Sequence, residues 1–238
     1  MTALANIGPI KLDRTRQPVR QVFEALRESI VSVRLTPGTV LRRTELAEHF
    51  GTSQAPVRDA LLQLGNERQG DIYAQHATVV SRIDLSAVLR AHFLRRLVEL
   101  EILAVLCGLA DDRHVKLMLR LGANLLAQQA ALDPLDLAVL AVADQSFHEM
   151  RYQAAGVGPL WTLVRRHSGH VDRLRRLNLP DEGKPQSIVR DHRAIAEALG
   201  RRQKTDASEA LRRHLAGTLS FVDDIRRRFP DWVVAWDD

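Results

Sequence analysis

From Pro18 onward, apolar residues recur at intervals of three and four (Val19, Phe23, Leu26, Ile30 and Val31). That spacing keeps one face of an α-helix apolar and predicts a first amphipathic helix. Leu35-Thr36-Pro37-Gly38 then forces a turn. A shorter apolar face, Leu46, Ala47 and Phe50, predicts a second helix within RTELAEHF, broken by Gly51-Thr52. Ser53 is a favourable N-cap for a third helix, and Pro56 falls in its first turn, where a missing N–H costs little. Val57, Leu61 and Leu64 form the inner stripe of that helix and leave Gln54, Arg58 and Asp59 outside. Two short helices across a tight glycine turn, the second with a polar outer face, make a helix-turn-helix pattern. Gly70 to Ser81, with Ile72, Tyr73, Val79 and Val80, predicts a small β-hairpin.

Beyond Asp84 the pattern is helical almost to the end. Helices are expected at roughly 86–108, 111–131, 134–155, 158–177, 186–200 and 206–228, separated by breaks such as Asp133-Pro134 and Gly156 to Pro159. The change of texture near residue 82 marks a domain boundary. The fold class is therefore mainly α. A winged helix-turn-helix occupies 18–82 and an all-helical bundle 83–230, with tails at 1–17 and 231–238.

Composition narrows the function less than the pattern does. The 238 residues, 45% hydrophobic, suffice for two small cores, and the net charge of +5 permits a nucleic-acid partner without naming one. Residues 1–80 hold ten basic against eight acidic side chains, so a DNA-facing surface must come from placement rather than bulk charge. The single cysteine, Cys107, excludes an internal disulfide and, set in LAVLCGLA, reads as a buried small residue. No stretch approaches the ~20 apolar residues of a membrane span, and the first residues carry no basic-then-apolar signal pattern. A cytoplasmic protein without a membrane partner is the expectation.

The segment LTPGTVLRRTELAEHFGTSQAPVRDALLQL resembles the N-terminal half of GntR-type regulators, in its spacing from Pro37-Gly38 through Leu46-Ala47 and Gly51 to Pro56-Val57-Arg58. In the second half, LRRLVELE, DQSFH at 144–148, DHRAI at 191–195 and RRHL at 212–215 resemble the FCD (FadR C-terminal domain) branch of that family. The resemblance covers about residues 18 to 220. It implies a homodimeric transcription regulator that binds palindromic double-stranded operator DNA. Its helical domain would hold a divalent metal beside a small carboxylate effector. On the DNA side it points to Arg42, Arg43, Thr44, Ser53, Gln54 and Arg58; His76, in the wing, is a further candidate from its own chemistry as a lone histidine within reach of phosphate. Where the family opens its recognition helix with Ser-Arg-Thr-Pro-Val-Arg, this chain has Gln54 in place of the first arginine, and glutamine pairs best with adenine. The wing also departs from the family, with Ala77 near the expected tip and Gly70 the nearest glycine before it.

Asp144 and His148 are four apart, so on a helix they share one face and can reach one ion together. The pair means little alone. His192 and His214 fall where the FCD resemblance carries its second and third histidines, which completes a set of one carboxylate and three imidazoles. Such a set suits Zn, Ni, Mn, Fe or Co. Arg95 and Glu99 match the family's Arg-x-x-x-Glu, and Arg95 is either a cationic contact to an effector acid or the partner of Glu99 in an i,i+4 ion pair. His92, His114, His167 and His170 match no ligand position and read as solvated or as supporting residues. Two other readings stay open: a helical-bundle metalloenzyme using the same four residues, and a constitutive DNA-binding protein with a structural metal. Glu149, the carboxylate beside the cluster, should point elsewhere on its helix, which leaves an enzyme without a general base.

Overall fold

The computed structural model describes residues 4, 7, 8, 10–73 and 77–234. By its backbone contacts the chain forms two compact units, one of Met1–Val88, Arg166–Leu177 and Asp224–Asp238, the other of Leu89–Arg165 and Asn178–Asp223. Residues 166–177 and 224–230, placed by the sequence reading in the helical domain, therefore pack with the N-terminal unit. Hydrophobic periodicity reports that a helix has an apolar face, not which neighbour covers it.

In the first unit, α1 (Pro18–Val31) packs on α3 (Gln54–Asn66), and α2 (Arg43–Phe50) completes the trio. Val22, Leu26, Ile30, Leu46, Phe50, Val57, Leu61 and Leu64 form its core. Gly51 ends α2 in the left-handed conformation that glycine adopts without strain, φ 60°, and this sets the tight turn into α3. Ser53 stands at the N-cap of α3 with extended backbone but makes no side-chain cap hydrogen bond, contrary to the expectation from its residue type. The hairpin of β2 (Gly70–Ile72) and β3 (Ala77–Val80) forms as expected, and β1 (Val40–Arg42) joins it to give a three-stranded antiparallel sheet in the order β1-β3-β2. His76, the wing candidate, lies outside the described residues.

Two segments read as tails also take part. Ile7 is buried in the core, with Leu4, Ile10 and Leu12 packed against it, so part of the 1–17 segment is held by its own apolar residues. At the other end β5 (Val233–Val234) pairs in parallel with β4 (Ile83–Asp84), and Ile83 N–H donates to Trp232 O at 2.7 Å. Strands this short carry too few residues for alternation to be seen in sequence.

Helix α8 (Gly169–Asn178) belongs to this unit and buries His170. Its Nδ1 accepts from Asp84 N–H at 3.1 Å and from Arg173 Nη2 at 2.9 Å, which fixes a neutral ring protonated at Nε2. Burial, then the Arg173 cation, pushes its pKa down from 6.5 to about 3. Between those values the unfolded chain binds a proton that the native state refuses, so stability falls as pH drops through this window. The effect is of order 5 kcal/mol at the acid end. Denaturation midpoints measured from pH 7 to pH 4 should fall more steeply for the wild type than for His170→Gln. Parallel slopes would remove His170 as the cause.

The second unit is helical. It holds most of α4 (Leu85–Cys107), then α5 (Asp111–Ala130), α6 (Leu137–Ala154), α9 (Lys184–Gly200) and α10 (Lys204–Ala216), with α5 packed on α6 and α9, and α9 on α10. Two expected helices are divided. The 158–177 span is α7 (Gly158–His167) and α8, broken at Ser168. The 206–228 span is α10 and α11 (Val222–Arg228), separated by turns from Gly217. The sixth helix starts at Leu137 rather than Pro134, because the Asp136 carboxylate caps the N–H groups of Ala138 and Val139, both at 3.0 Å. Cys107 is half-buried rather than buried.

Candidate metal centre

Asp144 and His148 lie one turn apart on α6, His192 on α9 and His214 on α10, and all four are buried. One ligand atom from each lies within 4.8 Å of the others. The three imidazoles converge through the same atom: His214 Nε2 is 3.3 Å from His192 Nε2 and 3.3 Å from His148 Nε2, while Asp144 Oδ1 is 3.6 Å from His192 Nε2. Two ligands each about 2 Å from one ion stand at about that separation.

Which nitrogen of each ring carries its proton follows from what lies behind it. His148 Nδ1 faces Glu99 Oε2 at 2.8 Å and also touches Arg151 Nη2; with Arg151 Nη2 donating to that same carboxylate oxygen, the Nδ1 proton directed at Glu99 leaves Nε2 to present its lone pair. For His192 the orientation is relayed from the backbone. Asn124 Nδ2 donates to Ala143 O at 3.0 Å, so Asn124 Oδ1 accepts from Gln128 Nε2 at 2.6 Å. Gln128 Oε1 is thereby left to accept from His192 Nδ1 at 2.9 Å. Phe147 stacks on the His192 ring at 4.1 Å between centroids and fixes its plane. His214 Nδ1 lies 3.9 Å from Asp191 Oδ2. Two neutral imidazoles thus aim lone pairs at the point where the third ring's Nε2 also arrives. Burial, followed by the cations of Arg95 and Arg151, holds His148 well below its ordinary pKa, so a proton is a poor occupant of that point. The donor set fits a divalent transition metal bound by neutral imidazole and carboxylate.

Arg95 Nε donates to Glu99 Oε1 at 2.6 Å, which is the i,i+4 ion pair weighed from the sequence, but it is buried rather than exposed. Glu99 also accepts from Arg151 Nη2 at 2.6 Å through the oxygen that serves His148. Burial works to raise the Glu99 pKa, and the Arg95 and Arg151 charges outweigh it and hold the carboxyl below its usual value. Arg151, Gln128 and the role of Glu99 behind His148 were not foreseen. The signal for Arg151 was its position, three residues after His148 on the face that carries Asp144.

Glu149, as expected, is not part of the cluster and accepts from Gln153 Nε2 at 3.1 Å. Of the histidines read as solvated or supporting, His167 is exposed, whereas His92, His114 and His170 are buried, and His92 Nε2 lies 3.1 Å from Leu215 O.

Residues 89–217 match the FCD domain and residues 18–73 match the gntR family of bacterial regulatory proteins. The chain belongs to the GntR family. An HTH-type transcriptional regulator from an unstable DNA locus of Streptomyces ambofaciens is 34% identical over 212 residues, covering 89% of this chain and 88% of that protein. The HTH-type transcriptional repressor RspR of Escherichia coli K12 is 27% identical over 217 residues, 91% of this chain and 94% of RspR. Among solved structures, Escherichia coli McbR/YncC shares the fold, with a TM-score of 0.74 at 19% identity over 88% of this chain and 98% of that one. The GntR and FCD assignments make the chain a DNA-binding transcription regulator and not an enzyme. Among the described residues no helix is long and apolar enough to cross a membrane.

In this GntR chain Gln54 and Arg58 project from the first turns of α3, both exposed and one helical turn apart. Ser53 precedes them, also exposed. Arg42 and Thr44 are exposed where β1 meets α2, and Arg43 is half-buried. Arg42 pairs with Glu45 at 3.0 Å and Arg58 with Asp59 at 3.0 Å, both solvent-exposed contacts of the kind that stabilise little.

Proposed function

We propose that this protein is a ligand-responsive operator-binding homodimer, acting as a repressor. In this reading Asp144, His148, His192 and His214 hold one divalent metal beside the site of a small carboxylate. The observation that supports it most is the convergence of three Nε2 atoms, two of them with the outer nitrogen locked by Glu99 and Gln128. A bound divalent ion there would supply a Lewis-acidic anchor for an effector carboxylate. The rest is done by the chain. Asp144, His192 and His214 tie α6, α9 and α10 to one point, Glu99 and Gln128 extend that tie to α4 and α5, and Arg95 adds a cation nearby. An acid with different affinities for two arrangements of these helices shifts their populations. Dimerisation rests on the argument that one recognition helix reads too few bases for useful specificity, so two copies must share a palindrome. The repressor sign rests on RspR, which bears that name.

The test starts from a binding site selected from random DNA with the metal-loaded protein, followed by titration with a panel of small mono-, di- and tricarboxylic acids. At least one acid should weaken operator binding about tenfold, a coupling within the usual range. If no acid changes the affinity, the constitutive reading with a structural metal replaces this one. In the same assay Arg58→Ala should cost about 1–3 kcal/mol of operator binding, and Gln54→Arg should move the selected half-site from adenine to guanine at the facing base. An unchanged selected site would remove Gln54 from base reading.

A further inference from the structure

Helix α8 is encoded between the two segments of the helical unit, yet its contacts place it with the DNA-reading unit. The helix docks through a fully buried arginine. Arg173 Nη1 donates to Ser81 O at 2.6 Å, and Nη2 reaches Ser81 Oγ at 3.3 Å and Arg82 O at 3.4 Å. Ser81 and Arg82 are the two residues between β3 and β4, so the guanidinium fork grips the chain as it leaves the wing. Lysine cannot span two consecutive carbonyls in that way.

The same residues connect to the recognition helix. Gln69 N–H donates to Leu64 O of α3 at 2.8 Å, Ser81 N–H donates to Gln69 O at 3.1 Å, and Ser81 Oγ donates to Arg68 O at 2.8 Å. Gln69 is itself buried, its amide donating to Glu67 O at 3.1 Å. Against it lies Gly169, the first residue of α8, where an added Cβ would stand 2.5 Å from the Gln69 Cδ. An added methyl there would have to push the Gln69 amide out of its buried place, so what favours glycine is close approach rather than its backbone angle. The end of α3, the base of the wing and the start of α8 thus form one buried, hydrogen-bonded joint.

We infer that α8 is a working part of the DNA reader, in which Arg173 and Gly169 are positioning residues that set the wing against the recognition helix. Neither touches DNA in this account. They act on which sequences are bound by fixing the relative placement of elements that do.

The experiment uses the full-length chain and measures binding both to the site selected by the wild type and to a scrambled duplex, at one salt concentration. Arg173→Lys, Gly169→Ala and Gly169→Ala with Gln69→Ala are compared. A variant that is merely less folded loses the same factor on both duplexes, so the ratio of the two affinities isolates positioning from stability. The ratio should fall about tenfold or more in Arg173→Lys and in Gly169→Ala, out of the usual ~10³ or more. Removing the Gln69 side chain should restore it in the double variant, since the methyl then has room. Should Arg173→Lys fail to fold, the Gly169 and Gln69 pair decides the matter. Unchanged ratios in folded variants would overturn the inference, and so would a Gly169→Ala loss that Gln69→Ala does not reverse.

Discussion

With His148 and His192 both changed to alanine, the purified chain is expected to lose its bound divalent metal, from about one equivalent per chain to roughly a tenth of that or less. Together the substitutions remove two converging Nε2 atoms and leave only Asp144 and His214. Elemental analysis reads the content directly. Thermal unfolding supplies the second reading. A ligand bound only by the native state, at a free concentration about a hundredfold above its Kd, adds about 2.7 kcal/mol. A chelator should therefore lower the wild-type Tm by several degrees and leave the double variant unmoved. A wild type that carries no metal and gains nothing from added Zn, Ni or Mn would reduce these histidines to packing and hydrogen bonding.

The second large effect is expected at Glu99. Glu99→Gln keeps the shape of the side chain and removes its charge from between Arg95 and Arg151, both buried with it. Among the described residues Arg151 Nε and Nη1 have no hydrogen-bond partner, so its compensation rests heavily on that carboxylate. Breaking a buried ion pair in this way costs about 3–5 kcal/mol, measured by chemical denaturation of the metal-free protein. Adding Arg151→Met should recover part of the loss, because the uncompensated cation goes with it. Metal affinity should fall about 10–100-fold in Glu99→Gln, since His148 loses the charged acceptor behind its Nδ1. The pH dependence has a definite sign. With its pKa held below the ordinary value of 4.5, Glu99 contributes stability that is fully present above that value and is lost as pH falls through the lower, folded one. Glu99→Gln should flatten that acid limb. A loss under about 1 kcal/mol would show that the cluster tolerates a neutral residue at its centre.

Much of the candidate site was legible because its spacing is local. Asp144 and His148 sit one helical turn apart, and their geometry follows from the helix alone. His192 and His214 were located by resemblance, since nothing in the spacing of residues 148, 192 and 214 says that three helices bring them together. The supporting residues were less visible. Glu99 was seen only as the partner of Arg95, and Gln128 not at all, because a glutamine on an amphipathic helix looks like any solvated residue until a histidine is found behind it.

By itself the sequence determined the elements and their apolar faces, including the helix-turn-helix with Gln54 and Arg58 outward, because helical periodicity and glycine or proline breaks act within a few residues. The tertiary structure alone decided which element each face covers. The α8 segment, contiguous in sequence with the helices of the second unit, docks on the base of the wing because Arg173 finds the carbonyls of Ser81 and Arg82 there. Val233, in what read as a tail, completes a strand pair with Ile83. Contacts between residues 80 to 150 positions apart leave no local periodicity, so only the folded chain reveals them.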